Sequence, residues 1–301
     1  MNATYSVIIA CNNAETVIVE CLSRLIRQGE HSNLEIIVAD SSTDTTAQMV
    51  KTRFPTVKLL RFEHPSALPV LRGSAIALAT GRIIALIDPY TMVGPDWLQQ
   101  VITAHIEQKH SVVGGAVDLY HAGAQGILAW AQYFNEYGMF MSPVEEGVIE
   151  ILPGCNVSYK RELLFDGDKP RFEEFWKTFV HAGLAESGGV LWQTPRIRVE
   201  LWKPVGFVSF LVTRFSHGRC YAAMRCADAS LSARFLRALT SPLIPFVLQY
   251  RWTRRIWPKR RYRAKYILSL PVQFLLFTCW SVGEFAGYLT GAGNSCRKLY
   301  Y

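Results

Sequence analysis

The chain has 301 residues, 50% of them hydrophobic, and a formal net charge of +8 at neutral pH. This length allows one large domain or two smaller ones with an ample core, and such a hydrophobic content is high for a purely soluble enzyme. The seven cysteines are scattered and include no Cys-x-x-Cys pair, so the sequence indicates neither a disulfide framework nor a zinc site. We therefore expect a reducing compartment.

The first part of the chain alternates short apolar runs with helical patterns. Five apolar runs predict strands, near residues 5–10, 34–39, 57–62, 83–87 and 111–117. Strands that alternate with helices predict an α/β fold with a mostly parallel central sheet, whose ligand sites lie outside the carboxyl ends of the strands. Asp40 and Asp88 directly follow two of these runs, where a nucleotide and its metal would bind.

Four segments of this region stand in a characteristic order and spacing: Ser6–Ala10 with Asn12 and Glu15, Glu35–Asp44, Arg72–Gly81, and Ile83–Asp88 with Pro95–Leu98. Together they resemble the family 2 glycosyltransferases of the GT-A fold. The likeness continues more weakly through Gly154–Arg161 to about residue 225, and so covers roughly three quarters of the chain. The resemblance implies a GT-A type fold that transfers a sugar from a nucleotide-diphospho-sugar.

We expect three regions along the chain. Residues 1–115 would form the nucleotide-sugar-binding half, and residues 116–235 the acceptor-binding half of the same GT-A domain. Residues 236–301 are predicted to form a basic and apolar tail that associates with a membrane.

The tail combines a basic block with a long apolar run. Eight Lys or Arg and no acid lie between Arg251 and Lys265. The apolar run at 266–289 is long enough to cross a bilayer, which takes about 20 residues, and its basic flank favours the cytoplasmic side. Glu284 fits this prediction poorly, because a carboxylate in hydrocarbon is costly, and a buried core helix is the alternative.

The apolar stretch before the basic block, residues 239–250, is short and contains two prolines. We expect a re-entrant or interfacial element there. The tail therefore predicts a single-pass or re-entrant anchor at the cytoplasmic face of the inner cell membrane. The aromatic and apolar neighbours of the basic block argue against nucleic acid as its partner.

The resemblance assigns several residues to the nucleotide-sugar. Asp40 would contact the nucleoside, close to Ala10, Asn12 and Glu15 near the end of the first strand. The alternative for the Asp-Ser-Ser-Thr-Asp motif is that it caps the following helix. Arg72, in front of an Ala-rich helix, would pair with phosphate, and a solvated surface arginine is the alternative.

Asp88 stands where the family carries an Asp-x-Asp motif. Two such carboxylates can hold Mg²⁺ or Mn²⁺ and bridge it to the diphosphate. The second position is Tyr90 in this chain, and a phenol is not a hard anionic ligand at neutral pH. Asp88 is still the candidate metal ligand, but the expected affinity of the site for a metal is weaker. Whether the protein needs a metal is therefore left open.

The family's catalytic base lies in a Glu-Asp motif at the start of a helix in the acceptor half. A helix is predicted here from Phe172 to Gly183 or beyond, and Glu173 and Glu174 near its start are the candidate bases, with Glu174 slightly favoured. Acids that only complement the helix dipole are the alternative.

A later basic segment resembles one that follows the catalytic half in membrane-associated members of the family. Its Arg214, His217 and Arg219 would close over the diphosphate of the nucleotide-sugar. A purely structural histidine is the alternative for His217.

The sequence thus predicts a glycosyltransferase that moves a sugar from a nucleotide-diphospho-sugar to a lipid-linked or polysaccharide acceptor, with inversion. The membrane tail favours this acceptor, because such an enzyme works where its acceptor is held. The alternative is a weak or inactive GT-A binding module in a polysaccharide-assembly complex. Tyr90 favours the module, whereas Asp40, Asp88 and the two candidate bases favour the enzyme.

Overall fold

The computed structural model describes residues 5–29, 33–203 and 206–299. These residues fall into two compact units, the first from residues 1–120 and 142–203 and the second from residues 121–141 and 204–300. The predicted division into two binding halves and a tail concerns ligands, so it stays a prediction. Residues 1–4 of the first predicted region and residues 300–301 of the last lie outside the described residues.

Strands and helices alternate through the first unit, whereas the second unit is helical where it is described. The strands are β1 (Tyr5–Cys11), β2 (Leu34–Asp40), β3 (Lys58–Arg61), β4 (Ile83–Ile87), β5 (Thr91–Val93), β6 (Val112–Leu119), β7 (Gly147–Val148), β8 (Asn156–Lys160), β9 (Phe165–Asp166), β10 (Lys169–Pro170) and β11 (Leu191–Leu201). The helices are α1 (Ile18–Gly29), α2 (Thr46–Arg53), α3 (Leu68–Ala77), α4 (Trp97–Ile106), α5 (Ile127–Glu136), α6 (Arg161–Leu164), α7 (Lys177–Glu186), α8 (Phe207–Arg225), α9 (Leu231–Thr240), α10 (Ile244–Ile256) and α11 (Arg263–Thr290).

Among the described residues, one sheet holds nine strands in the order β3-β2-β1-β4-β8-β6-β11-β5, with β7 also paired to β11. β1 to β4 are parallel, and β6 and β11 run in the same direction, whereas β5, β7 and β8 run against them. β1, β2 and β4 are buried apolar runs because a parallel sheet is covered on both faces. The predicted α/β fold with a mostly parallel central sheet is confirmed.

The five predicted strands correspond to β1, β2, β3, β4 and β6 and agree with them to within two residues at each end. Apolar runs of this kind are specified locally, by side chains that must be buried on both faces. The carboxyl ends of β1, β2 and β4 therefore lie at one edge of the sheet, as the sequence indicates.

The second unit is built around the crossing of α8 and α11. A Cβ at Gly218 on α8 would lie 2.2 Å from the carbonyl oxygen of Trp280, and a Cβ at Gly283 on α11 would lie 2.1 Å from that of Phe215. Glycine at such a crossing lets two helix backbones approach closely. One face of α11 is consequently buried against protein.

Glu284 lies on this buried face of α11, with 5% of the residue exposed. Its carboxylate accepts hydrogen bonds from the Trp280 indole and from the Tyr288 hydroxyl, the latter at 2.6 Å. Tyr288 is also hydrogen-bonded to Arg225 on α8. A buried carboxylate is tolerated when its oxygens have partners, so Glu284 is accommodated by the helix pair.

Two helical segments, Leu231–Lys259 and Arg263–Thr290, are long and apolar enough to cross a membrane by length and composition. The second contains the predicted apolar run 266–289. The first is longer than the proline-broken element expected at 239–250, because its prolines lie in the first turns of helical segments, where a missing N–H is tolerated. The most apolar part of the first segment is 17% buried, and that of the second is 39% buried.

Cys220 and Cys296 form a disulfide within the second unit, which joins α8 to the segment after α11. The sequence analysis predicts no disulfide, and this prediction is wrong. The two cysteines are 76 residues apart in the chain, whereas their Cα atoms are 5.1 Å apart. Pairing depends on that distance, which the cysteine spacing does not reveal.

Candidate active site

The loops that follow β1 and β2 are hydrogen-bonded to each other at the carboxyl edge of the sheet. Asn12 Nδ2 donates to Ser41 Oγ at 3.0 Å, and the backbone N–H of Asn13 donates to Ser42 Oγ at 2.7 Å. Parallel pairing of β1 with β2 brings the two loops side by side. Ala10 and Asn12, both predicted to contact the nucleotide-sugar, therefore lie at the ligand-binding edge of the sheet.

Glu15 and Asp44 extend this network towards α2. Glu15 Oε2 accepts a hydrogen bond from the Thr45 hydroxyl at 2.7 Å, and Asp44 Oδ2 accepts one from the backbone N–H of Glu15 at 3.2 Å. Asp44 Oδ1 accepts the backbone N–H of Thr46, the first residue of α2, at 3.0 Å. Asp44 thus satisfies a helix N-terminal donor, which is the capping role considered for this motif.

Asp40 is fully buried at the end of β2. One carboxylate oxygen accepts a hydrogen bond from the Ser42 hydroxyl at 2.5 Å, and the other forms an ion pair with Arg61. The Arg61 side chain is still 42% exposed, so this pair presents a cation at the edge of the sheet. The sequence analysis missed Arg61, which becomes visible only through the β2–β3 register that places it opposite Asp40.

Arg72 on α3 and Asp88 after β4 form a buried ion pair. Arg72 Nη2 lies 2.7 Å from Asp88 Oδ1, and the two side chains are 9% and 4% exposed. Arg72 Nη2 also donates to the carbonyl oxygen of Gly154 at 3.4 Å. The structure therefore joins two residues that the sequence analysis assigned separately, one to phosphate and one to a metal.

The residues around Asp88 do not fit a divalent metal. The Asp88 carboxylate is engaged by Arg72, and Tyr90 is a buried phenol with the Lys203 ammonium 5.2 Å from its ring centre. Within residues 5–29, 33–203 and 206–299, no group of three or more His, Cys, Asp or Glu side chains is placed to hold a metal ion. Mg²⁺ and Mn²⁺ prefer several oxygen ligands, of which this site offers one carboxylate.

The helix predicted over 172–183 begins later than expected. α7 starts at Lys177, and the residues before it run as irregular chain. The backbone N–H of Phe175 donates to the carbonyl oxygen of Pro69 on α3 at 2.8 Å. Because this segment bonds to α3, its backbone groups are not available for a turn of its own helix.

The two candidate bases, Glu173 and Glu174, lie on this irregular segment and are exposed. A Cβ at Gly73 on α3 would lie 2.0 Å from the carbonyl oxygen of Glu173, so the segment rests directly on α3 beside Arg72. Glu174 Oε2 accepts a hydrogen bond from the Trp176 indole at 2.8 Å. The acids are therefore attached to the helix that carries the phosphate-binding candidate, and they do not begin a helix themselves.

Lys177 is a functional candidate that the sequence analysis missed. Its Nζ donates to the carbonyl oxygen of Leu152 at 2.9 Å, two residues before Gly154, whose carbonyl oxygen accepts a hydrogen bond from Arg72. Burial, followed by the charge of Arg72, lowers the pKa of Lys177 to about 8. The sequence around Lys177 does not indicate a site, because the lysine reaches the loop at residues 152–155 only when α7 begins at Lys177.

His181 lies on the same face of α7 as Lys177, one turn later, and also contacts Leu152. Its Nδ1 accepts the backbone N–H of Leu152 at 3.5 Å, and its Nε2 is hydrogen-bonded to the Tyr159 hydroxyl at 2.6 Å. Burial, with the charge of Lys177, lowers the pKa of His181 to about 3, so its imidazole is neutral at physiological pH. Both backbone groups of Leu152 are thus held by α7, which fixes the position of Lys177.

The three residues predicted to close over the diphosphate lie on α8, in the second unit. The Arg214 guanidinium lies 4.6 Å from the ring centre of Trp280, and the His217 ring is 5.3 Å from the same ring. Arg219 Nε donates to the carbonyl oxygen of Gly291 at 2.9 Å. Each packs within its own unit, and their contact with a diphosphate stays a prediction.

Asp40 and Asp88, at the carboxyl ends of β2 and β4, are each paired with an arginine and lie where open α/β sheets bind their ligands. A sequence model of the family described as "Glycosyl transferase family 2" matches residues 6–165, just over half of the chain. The chain belongs to this family.

Two relatives show the extent of the likeness. An uncharacterized glycosyltransferase of Haemophilus influenzae is 24% identical over 199 residues, which cover 59% of this chain and 60% of the relative. WfgD of Escherichia coli, a "UDP-Glc:alpha-D-GlcNAc-diphosphoundecaprenol beta-1,3-glucosyltransferase", is 24% identical over 178 residues, 58% of this chain and 64% of the relative. The chain thus matches less than two thirds of either protein.

Among solved structures, the mannosyltransferase PcManGT from Pyrobaculum calidifontis, in complex with GDP-Man and Mn²⁺, is similar with a TM-score of 0.60. The two chains are 15% identical, and the match covers 94% of this chain and 87% of the other. At this identity the likeness concerns the fold alone. It confirms the GT-A type fold expected from the sequence.

Gly73→Ala should destabilise the protein by about 1–3 kcal/mol, the usual cost of overpacking, because its Cβ would collide with the carbonyl of Glu173. Thermal unfolding followed by circular dichroism measures this loss. Gly123→Ala is the matched control, since a Cβ there meets nothing within 4 Å. Equal melting temperatures for the two variants would contradict the close contact between α3 and the Glu173 segment.

Proposed function

We propose that the protein is a glycosyltransferase that moves a sugar from a nucleotide-diphospho-sugar to a lipid-linked or polysaccharide acceptor at the cytoplasmic face of a membrane, with inversion. The observation that carries the proposal is the Arg72–Asp88 pair, which lies at the same carboxyl edge of the sheet as the Asp40 loop. An arginine held in this way can meet phosphate without reorganising.

The nucleoside would bind along the loops after β1 and β2. Asp40, Asn12 and Glu15 line this edge, although Asp40 would act together with Arg61, which occupies one of its oxygens. The diphosphate would then extend towards Arg72. A similar fold in complex with GDP-Man supports this class of donor.

Transfer needs a base and a stabilised leaving group. Glu174 or Glu173 would take the proton of the acceptor hydroxyl while its oxygen forms a bond to the anomeric carbon. The bond from that carbon to the diphosphate oxygen breaks with its electron pair, and Arg72 would meet the charge that develops. Attack from the face opposite the leaving diphosphate inverts the configuration.

The proposal of a lipid-linked acceptor depends on a membrane contact of the second unit. Phe235, Leu239 and Phe246 are 64%, 66% and 63% exposed, and their spacing of four and seven residues places them on one side of the α9–α10 segment. Exposed arginines follow at 251 and 254. Apolar side chains beside basic ones suit the boundary of an anionic bilayer, and WfgD is named for an acceptor carried on diphosphoundecaprenol.

Glu174→Gln should abolish sugar transfer and leave nucleotide-sugar affinity unchanged, because an amide cannot take the acceptor proton. Isothermal titration with UDP- and GDP-sugars measures binding, and product formation on a lipid-linked acceptor measures transfer. Glu173→Gln is the matched control on the neighbouring residue. If only Glu173→Gln abolishes transfer, the assignment to Glu174 is wrong, and a parent that binds donor but never transfers would favour the inactive binding module.

Replacing Phe235, Leu239 and Phe246 together by Ser should weaken binding to anionic vesicles by at least about tenfold, because each buried apolar side chain contributes roughly 1.5–3 kcal/mol. Flotation with phosphatidylglycerol vesicles measures the bound fraction.

The matched control replaces three exposed apolar residues of the first unit, Leu78, Ile106 and Val148, by Ser. Both triple variants remove similar apolar surface, so only a membrane contact of the α9–α10 segment makes them differ. Equal flotation of parent and both variants would contradict the proposed membrane face.

A further inference from the structure

We propose that Lys177 and Arg72 together bind the diphosphate of the donor and take the place of a divalent metal. This inference rests on the proposed use of a nucleotide-diphospho-sugar and adds a residue to that site. Lys177 would contact the diphosphate directly, beside the sugar-phosphate bond that breaks.

The loop at residues 152–155 holds both cations in one place. Lys177 Nζ donates to the carbonyl oxygen of Leu152 at 2.9 Å, and Arg72 Nη2 approaches the carbonyl oxygen of Gly154 at 3.4 Å. A Cβ built on Gly154 would lie 3.4 Å from Lys177 Cδ and 3.6 Å from both terminal nitrogens of Arg72. The two side chains thus flank the same glycine.

The positive charges of Arg72 and Lys177 are not fully balanced by Asp88. Arg72 forms an ion pair with Asp88, whereas Lys177 donates to the neutral carbonyl oxygen of Leu152. The Asp88 charge also favours the ammonium form of Lys177, but burial and the Arg72 charge outweigh it. Removing a positive charge from water is costly unless an anion meets it. The lowered pKa of Lys177 expresses this cost, and its value of about 8 still leaves the amine mostly protonated at neutral pH. An anion bound here would offset the cost.

The site also has fewer anionic side chains than a metal site needs. A metal would share the Asp88 carboxylate with Arg72, which holds its Oδ1, and would lack a second hard ligand where Tyr90 stands. A diphosphate needs only that positive charge be present when the leaving oxygen becomes negative. Lys177, Arg72 and Asp88 together carry a net positive charge, and His181 with Leu152 holds Lys177 in position.

The test is binding of inorganic pyrophosphate, UDP and GDP to the full-length protein in EDTA, by isothermal titration. Lys177→Gln should weaken binding roughly ten- to a hundredfold, as expected for a lost charged hydrogen bond, while its amide can still donate to Leu152. Lys177→Arg should keep most of the affinity, because it keeps the charge. Lys169→Gln, which removes an exposed lysine from β10, is the matched control.

The outcomes separate this inference from the proposed function. Pyrophosphate binding in EDTA that falls only in Lys177→Gln supports the cation pair, even when no nucleotide binds and the proposed donor fails. Nucleotide binding that requires Mn²⁺, or that Lys177→Gln leaves unchanged in EDTA, overturns the cation pair and leaves the proposed donor standing. Thermal melting followed by circular dichroism shows whether each variant is folded, so that a loss of affinity is not confused with unfolding. If Lys177→Gln is unfolded, the affinity of Lys177→Arg is compared with that of the parent protein instead.

Discussion

The ion pair between Arg72 and Asp88 is the constraint on which the account of this site depends. Both side chains are almost entirely removed from solvent, and a buried carboxylate is stable only when a partner compensates its charge. The pair ties α3 to the end of β4 and fixes the position of Arg72, the proposed phosphate ligand. On the proposal that the site works without a metal, the pair also accounts for Tyr90 at the second position of the motif, since Asp88 has a cationic side chain as its partner.

A second constraint is the contact of α3 with the chain before α7. Glu173 rests on Gly73, so the segment with the candidate bases moves with the helix that carries Arg72. Where this segment ends, Lys177 begins α7 and points to the loop that Arg72 also contacts. Packing between two elements far apart in sequence thus attaches the candidate bases and Lys177 to the helix that carries Arg72.

Much of the fold was predictable, because the strands of a parallel sheet are continuous apolar runs and the acids after them mark its ligand edge. The parts that were not predictable depend on contacts between distant residues. Arg61 meets Asp40 through strand register, and Lys177 faces the site only because the chain before it bonds to α3. Glu284 has its partners Trp280 and Tyr288 one turn away on its own helix, and only the contact of Tyr288 with Arg225 on α8 joins distant residues.

The central claim, that the Asp88 carboxylate is committed to Arg72 and is not a metal ligand, is tested most directly by a Mn²⁺ titration followed by electron paramagnetic resonance. The full-length protein with a nucleoside diphosphate should bind no more Mn²⁺ than the nucleotide alone, and Asp88→Asn should change nothing. Arg72→Met should release the carboxylate and raise Mn²⁺ binding. Mn²⁺ bound by the parent protein and lost in Asp88→Asn would contradict the account.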